Sequence, residues 1–518
     1  MKIQLTKKLA SILAAALLCT SLTACNNSAA VNKSNNEKEK NIIFGLNNFH
    51  TNLDPALEFN GWFVSRFGVG ETLVKFNKDM KIEPAIADSW QRVDSLTWKF
   101  HIREKVKFHN GKAVTAEAAK LSLERALKLN PRTQEILFVK AIVASGQELT
   151  ITTKTPHEAF LGNIADPLTT IVDTSAAADS FERAPVCTGP FKVKSYVANS
   201  QVVVEKYKDY WGEKAPLDEA TFKYIKDDNT RAMALQSGKI DAATNIPSNS
   251  ISLFKDKAKY NIDKISSLRI ILSYENLNNE FLKDTAVRKA IALGVDRETY
   301  ANTLLKGSAV SALGPFPGVL PFGNIKLKGY KYNKAEASKI LSSAGYQDAD
   351  GDGILEKNGK KLELNLAFYT TRSELPVIAE AMQAQLKEIG IATKLQSYES
   401  VANVLKSKNF DLCLLSVNTA VTGDPQSFLE SYFKTGGSEN YGGYSSKEVD
   451  ALIDRLRTEQ NTEARYDIAT KVQQKLLEDN ADIFLVSPML NIVSKNSVTG
   501  LQMHPLDYYI LDNKVSIK

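Results

Sequence analysis

The sequence predicts an α/β fold of two lobes, and three observations lead to this prediction. The chain has 518 residues, and single hydrophobic cores stop growing near roughly 250–300 residues, so we expect more than one lobe. Apolar and polar residues alternate with a period of two in several stretches, which is typical of strands. Between residues 335 and 396, helical patterns alternate with such strands, as they do in an α/β lobe.

The first 40 residues predict a targeting segment followed by a tether. Three lysines precede an apolar stretch at 9–18 that is too short to cross a membrane permanently. The small residues before Cys25 resemble a bacterial lipobox, which implies that residues 1–25 are a lipoprotein signal peptide and that Cys25 carries the lipid. An ordinary signal peptide that is cleaved elsewhere is the alternative. Residues 26–40 are polar without periodicity, which predicts a disordered tether.

The stretch 84–117 predicts a strand pair followed by a helix. Trp98, Phe100 and Ile102 alternate with polar residues, the pattern of a strand with one buried face. Thr115 supplies an N-cap oxygen for a helix that runs to about Leu129. This stretch resembles the signature of family 5 of the bacterial extracellular solute-binding proteins, which serve peptide and nickel ABC importers.

Further predicted elements follow the order of that family along the chain. Asp284 is expected to cap one helix that continues to Gly307, with Val287, Ile291 and Val295 on its apolar stripe. The other predicted strands lie at 41–46, 148–153, 220–225, 267–276, 362–368, 393–396, 483–486 and 490–494. The other predicted helices lie at 230–237, 335–344 and 379–390.

The resemblance implies a two-lobe fold like that of periplasmic binding proteins (type II, cluster C), with a hinge between the lobes. Residues 41–266 and 487–518 would form lobe I, and residues 267–486 would form lobe II. The two crossing segments would lie near Ser267 and near Pro488, and the ligand would be enclosed between the lobes.

The resemblance also implies the location and the partners. We expect a monomer that is lipid-anchored to the extracytoplasmic face of the cell membrane and works with the permease and ATPase subunits of an ABC importer. The net charge of +6 is spread over 518 residues, so we expect no nucleic-acid partner. A ligand-sensing or peptide-holding lipoprotein without transport is an alternative of another class.

Enzymatic chemistry has no support in the sequence. The chain has five histidines and contains none of the G-x-S-x-G, H-E-x-x-H, C-x-x-C or Walker-type motifs, so we expect neither catalysis nor a resident cofactor. Residues 348–353 begin like a calcium loop, but Gly359 stands where the bidentate glutamate belongs, and a polar turn is preferred. A disulfide between Cys187 and Cys413 is not favoured.

The resemblance places candidate ligand contacts in two regions of lobe I. Trp62 and Phe63 match apolar contacts of the nickel-binding branch, with Arg66 one turn further on. Arg132 matches an arginine that holds carboxylates of the nickel chelator in that branch, and Leu168 stands where a second one would be. For Trp62, Phe63 and Arg66, a purely structural role is the alternative.

The third region is the loop at 418–425 in lobe II. In the peptide-binding branch this loop carries an aspartate for the peptide ammonium, and Val421 occupies that position here. Thr419 and Thr422 are the ligand contacts we expect from this loop. The best prediction for the cargo is an anionic nickel chelate, so that nickel would be part of the ligand, with His50 or His504 as outside candidates for metal ligands. A di- or oligopeptide is the alternative cargo.

Overall fold

The computed structural model describes residues 39–49 and 52–518. Cys25, His50 and most of the predicted tether lie outside the described residues. The strands are β1 Asn41–Leu46, β2 Val74–Phe76, β3 Ile82–Pro84, β4 Ala87–Arg92, β5 Thr97–Ile102, β6 Val139–Ser145, β7 Glu148–Thr153, β8 Phe191–Val197, β9 Gln201–Lys206, β10 Glu219–Tyr224, β11 Ala242–Thr244, β12 Tyr260–Ser266, β13 Arg269–Glu275, β14 Ala309–Ser311, β15 Glu356–Lys357, β16 Lys360–Lys361, β17 Glu363–Tyr369, β18 Ala392–Tyr398, β19 Leu412–Asn418, β20 Asp482–Lys495, β21 Val498–Thr499 and β22 Ser516–Ile517.

Helices alternate with the strands along the chain. They are α1 Asn60–Arg66, α2 Ala116–Leu129, α3 Pro131–Leu137, α4 Phe160–Asn163, α5 Ser180–Arg183, α6 Asp228–Gln236, α7 Thr285–Gly294, α8 Arg297–Thr299, α9 Lys334–Ser343, α10 Glu374–Lys387, α11 Ala402–Ser407, α12 Gln426–Phe433, α13 Lys447–Thr458 and α14 Thr462–Asp479. Within residues 39–49 and 52–518, none of the helices is both long enough and apolar enough to span a bilayer.

The largest sheet is continuous across both predicted lobes. Its strand order is β18-β17-β19-β13-β20-β11-β1-β10-β9-β8, with β12 and β14 also paired to β20. A separate sheet, β4-β5-β7-β6, packs with α2 through the apolar faces of the two elements. The Thr115 hydroxyl accepts a hydrogen bond from the Ala118 amide at 3.2 Å, so α2 begins where its N-cap residue predicts.

Strand β20 joins the two halves of the large sheet. Its first half pairs with β13 and β14, and its second half pairs with β11 and β12. The chain passes from β12 to β13 alongside it at Ser267, whose hydroxyl donates to the Pro488 carbonyl at 2.6 Å. The two predicted crossing segments therefore lie side by side, and the hinge motion around them stays a prediction.

The helix predicted from Asp284 to Gly307 is wrong in its length. Asp284 caps α7 as expected, accepting from the Ala286 amide at 3.0 Å. The helix ends at Gly294, and Val295 is extended and buried rather than on a helical stripe. The carboxylate of Asp296 accepts from the Thr299 amide at 3.1 Å and starts a new helical segment, because aspartate is a strong N-cap residue.

Candidate functional site

The candidate site lies at the sheet edge where strands β17 and β19 end. These two strands are parallel, so their carboxyl ends meet at the same edge, which is where open α/β sheets bind ligands. Arg269 is the first residue of β13 and pairs with Asn418 at the end of β19. Arg372 follows β17 by three residues. The predicted lobe II, residues 267–486, therefore brings two arginines to the edge that is expected to bind the ligand.

Lobe I contributes a third arginine and a carboxylate. Arg66, in the last turn of α1, is 3% exposed. Its Nη1 donates to Asn48 Oδ1 at 3.1 Å, and its Nε donates to the Asp507 carbonyl at 3.0 Å. Its Nη2 lies 3.6 Å from Asp507 Oδ1. We call Arg66, Arg269, Arg372 and Asp507 the arginine cluster.

The arginine cluster holds charges that the surrounding protein leaves unpaired. Within residues 39–49 and 52–518, the guanidinium groups of Arg269 and Arg372 make neither a hydrogen bond nor an ion pair. Burial, together with the proximity of Arg372, lowers the pKa of Arg269 to about 10, and Asp507 opposes this shift. Burial alone would raise the pKa of Asp507, but Arg66, Arg269 and Arg372 together bring it below its ordinary value. With three guanidinium groups around one carboxylate, the cluster attracts anions.

A second polar group in lobe I contains Arg132. The carboxylate of Asp166 accepts from Arg132 Nη2 at 2.6 Å, from Trp62 Nε1 at 3.3 Å and from the Leu168 amide at 3.0 Å. Arg132 Nη1 and the Tyr508 hydroxyl are buried without a hydrogen-bond partner among the described residues. Buried donors are nearly always paired in native proteins, so these two donors suit an acceptor supplied by a ligand.

The loop at 418–425 touches lobe I directly. A methyl group on Gly162 in α4 would overlap the Thr422 carbonyl oxygen and would lie 3.2 Å from its carbonyl carbon. A methyl group on Gly423, whose φ is +68°, would lie 2.9 Å from the Phe76 ring. Gly162 thus lets the backbones of the two predicted lobes meet, and Gly423 lets the loop pack against the Phe76 side chain.

The predicted contacts differ in what they can offer a ligand. Phe63 is 4% exposed and packs in the apolar core of lobe I, where the Arg66 guanidinium lies 4.6 Å from its ring centre. Trp62 is half-buried, with its ring 5.6 Å from that of Tyr508. Thr419 is turned into its own lobe, since its hydroxyl donates to the Leu268 carbonyl at 3.2 Å. The Thr422 hydroxyl is buried without a partner among the described residues.

The geometry of His504 disfavours a role as metal ligand. Its Nδ1 accepts from the Leu506 amide at 3.0 Å and its Nε2 donates to the Asn77 carbonyl at 2.8 Å, so both ring nitrogens are in use. Burial lowers the pKa of His504 to about 4, which keeps the ring neutral.

The two remaining features from the sequence are the calcium-like loop at 348–353 and the pair of cysteines. Oxygens of Asp348, Asp350 and Asp352 lie within 4.8 Å of one another, all exposed, and the Lys361 ammonium group pairs with both Asp350 and Asp352. A lysine thus supplies positive charge where a calcium loop would hold its ion. Cys187 and Cys413 are both free and buried.

Sequence reasoning missed Arg269, Arg372 and Asp507. One signal was available, since an arginine opens the otherwise apolar run RIILSY directly after the predicted crossing at Ser267. A charged residue at the start of a buried strand needs a partner, and the nearest acidic residues in the sequence, Asp263 and Glu275, are each six positions away.

Known proteins resemble the chain over most of its length. Residues 81–440 match the family described as bacterial extracellular solute-binding proteins, family 5 Middle. The nickel-binding protein NikA of Staphylococcus aureus is 28% identical over 455 residues, which cover 88% of this chain and 90% of that protein. The oligopeptide-binding protein AppA of Bacillus subtilis is 28% identical over 459 residues, which cover 84% and 83%.

A crystal structure of NikA from Staphylococcus aureus in complex with Ni(L-His)2 has the same fold. The TM-score is 0.79 at 27% sequence identity, over 92% of this chain and all of that chain. This likeness confirms the predicted α/β fold class with two lobes.

Proposed function

Because the chain belongs to family 5 of the bacterial extracellular solute-binding proteins, we propose that it captures an anionic nickel chelate between its lobes and delivers it to an ABC permease. The observation that carries this proposal is the pair of unpaired guanidinium groups of Arg269 and Arg372. Arginine stays charged when it is buried and binds carboxylates through two parallel hydrogen bonds. A half-buried pair of such groups suits a ligand that brings its own carboxylates.

Lobe I supports the same cargo with a second set of donors. Arg132 Nη1 and the Tyr508 hydroxyl, both buried, would donate to a second acceptor on the ligand. The edge of the Trp62 indole would lie beside them, and its half-buried face would cover the ligand. Metal chelates of amino acids carry several carboxylate oxygens, which two separate donor sets can hold. Nickel would arrive as part of this cargo and would not be a resident cofactor.

Peptides are the alternative cargo, supported by the likeness to AppA of Bacillus subtilis. Val421 counts against ordinary peptides, because an ammonium group that leaves water needs a charged partner. The nearest carboxylate in that loop, Asp424, is held by Arg465 Nη2 at 2.7 and 2.8 Å. A peptide would therefore have to place its ammonium group elsewhere.

Calorimetry with two probes tests the proposal. Nickel(II) together with L-histidine, a chelate that is neutral overall but carries carboxylate groups, should bind the wild-type protein. Arg269→Ala and Arg372→Ala should each weaken this binding at least tenfold, or about 1.4 kcal/mol, through the loss of a charge-assisted pair with such a carboxylate. Arg455→Ala is the matched control, since that side chain is 61% exposed and pairs with Glu459 only at 3.9 Å. Tight binding of metal-free tripeptides with no response to nickel and histidine would favour the peptide cargo instead.

The expected location is a separate part of the proposal. We infer that Cys25 carries a lipid that holds the mature protein at the outer face of the cell membrane, as the lipobox-like sequence suggests. Cys25→Ala should move the protein from the membrane fraction to the medium or the soluble fraction. An unchanged membrane fraction for this variant would refute the lipid anchor and leave the ligand proposal standing.

A further inference from the structure

Asp166, Asp424 and Asp507 belong to the segments described for the candidate site, and the first two are fully engaged. Asp166 accepts hydrogen bonds from Arg132, from Trp62 and from a backbone amide. Asp424 is bound by two close contacts from Arg465. Neither can take a positive group from a ligand without losing a buried partner, which would leave an uncompensated charge.

Asp507 differs from these two aspartates. Its side chain is 20% exposed, and its nearest cationic atom is Arg66 Nη2 at 3.6 Å, which is too long for a hydrogen bond. Among the described residues, no side chain or backbone amide of another residue donates a hydrogen bond to its carboxylate. A mostly buried carboxylate normally accepts several hydrogen bonds, so the Asp507 oxygens have unused capacity.

The guanidinium groups that face Asp507 have unused capacity too. Arg269 and Arg372 are near enough to lower the pKa of Asp507, yet neither of them forms an ion pair with it. Asp507 therefore lies within electrostatic range of two guanidinium groups of the other predicted lobe without pairing directly with either of them. A solute that enters between them meets positive groups on the lobe II side and a negative group on the lobe I side.

We propose that Asp507 binds the positively charged centre of the ligand, while Arg269 and Arg372 bind its carboxylate. This inference rests on the proposed function and adds a requirement to it: the solute carries a carboxylate and a positive centre side by side. The positive centre is either the metal of a chelate or the ammonium group of an amino acid or peptide. If the positive centre is an ammonium group, Asp507 supplies the negative charge that Val421 lacks.

Calorimetry on Asp507→Asn with two probes tests the inference. The probes are nickel(II) with L-histidine, which presents a metal, and a pool of metal-free tripeptides, which presents ammonium groups. Asparagine keeps the shape of the side chain and removes its charge. We expect at least tenfold weaker binding of whichever probe the wild-type protein binds, and the affected probe identifies the positive centre. Asp512→Asn, an exposed position on the same tail, is the control and should bind like the wild type.

The alternative outcomes separate the inference from the proposed function. If Asp507 is only a counter-ion of the arginines, its neutralisation raises the positive potential, and Asp507→Asn binds the probe as tightly as the wild type or more tightly. That result would overturn the inference and leave the proposed function intact. A wild-type protein that binds neither probe would overturn both. Asp507→Glu, which keeps the charge, covers the case in which Asp507→Asn does not fold, and should retain binding within about tenfold, or 1.4 kcal/mol.

Discussion

Replacing Gly162 with alanine should keep the two predicted lobes apart. The added methyl group would overlap the Thr422 carbonyl oxygen, so the two backbones would have to separate by about 1 Å to reach ordinary van der Waals distances. Forcing an extra methyl group into a packed contact costs about 1–3 kcal/mol. If ligand binding needs this contact, Gly162→Ala should weaken binding of nickel(II) with L-histidine by roughly 5–150-fold.

Small-angle scattering and calorimetry together check this prediction. Scattering should show a larger radius of gyration for Gly162→Ala than for the wild type when the probe is present. Gly318→Ala is the matched control, because its methyl group would come close only to the side chain of Ile325, which is 75% exposed and free to rotate, and would lie at an ordinary 3.7 Å from Asn324 Oδ1. Wild-type affinity and wild-type dimensions in the Gly162→Ala variant would refute the reasoning that closure brings these backbones together.

Three further predictions concern stability. His504 has a folded pKa of about 4, below its unfolded value of about 6.5. The unfolded state therefore binds more protons between these values, and the free energy of unfolding should fall by up to about 3 kcal/mol as the pH drops through this window. Between pH 7 and pH 4.5, urea titrations should show a smaller loss of stability for His504→Gln than for the wild type, and an equal loss would contradict this. Asp424→Asn leaves the buried Arg465 charge unpaired and should lower the free energy of unfolding by about 3–5 kcal/mol, whereas a change within error would show that the pair contributes nothing. Ser267→Ala removes the hydrogen bond to Pro488 and should cost about 1–3 kcal/mol in the same assay, with an unchanged midpoint as the contrary result.

Local patterns sufficed for elements whose causes are local. The alternation around Trp98 and Phe100 predicted β5, and the Thr115 hydroxyl predicted the start of α2, because a strand face and an N-cap are each specified within a few residues. The end of α7 was missed, since the apolar stripe continues past Val295 while Asp296 offers a competing cap. The apolar stripe favoured one long helix and the Asp296 cap favoured a new helix, and the structure follows the cap.

Strand β20 depends on partners that are distant in sequence. The apolar runs at 483–486 and 490–494, on either side of Pro488, predicted a return strand. In the fold, Pro488 lies where the strand changes neighbours, and its carbonyl accepts from Ser267. The partners that make one strand of fourteen residues are 175 or more positions away in sequence.

The candidate site was predicted only in part for the same reason. Family resemblance indicated Arg132, and the structure surrounds it with polar groups that a ligand could use. The arginine cluster joins Arg66 to Asp507 and Arg269, which no local pattern connects. Unpaired charge becomes visible only when burial and neighbours are known, because the same arginine in water needs no partner.

The most direct test of the proposed function is native mass spectrometry of the protein purified from its own host. The mass difference between the liganded and stripped protein identifies the small molecule that it carries. We predict a nickel-containing species with at least one carboxylate, whose retention is lost in Arg269→Ala. A bound solute without any carboxylate, or one that Arg269→Ala retains in full, would contradict the proposal that the arginine cluster selects the cargo.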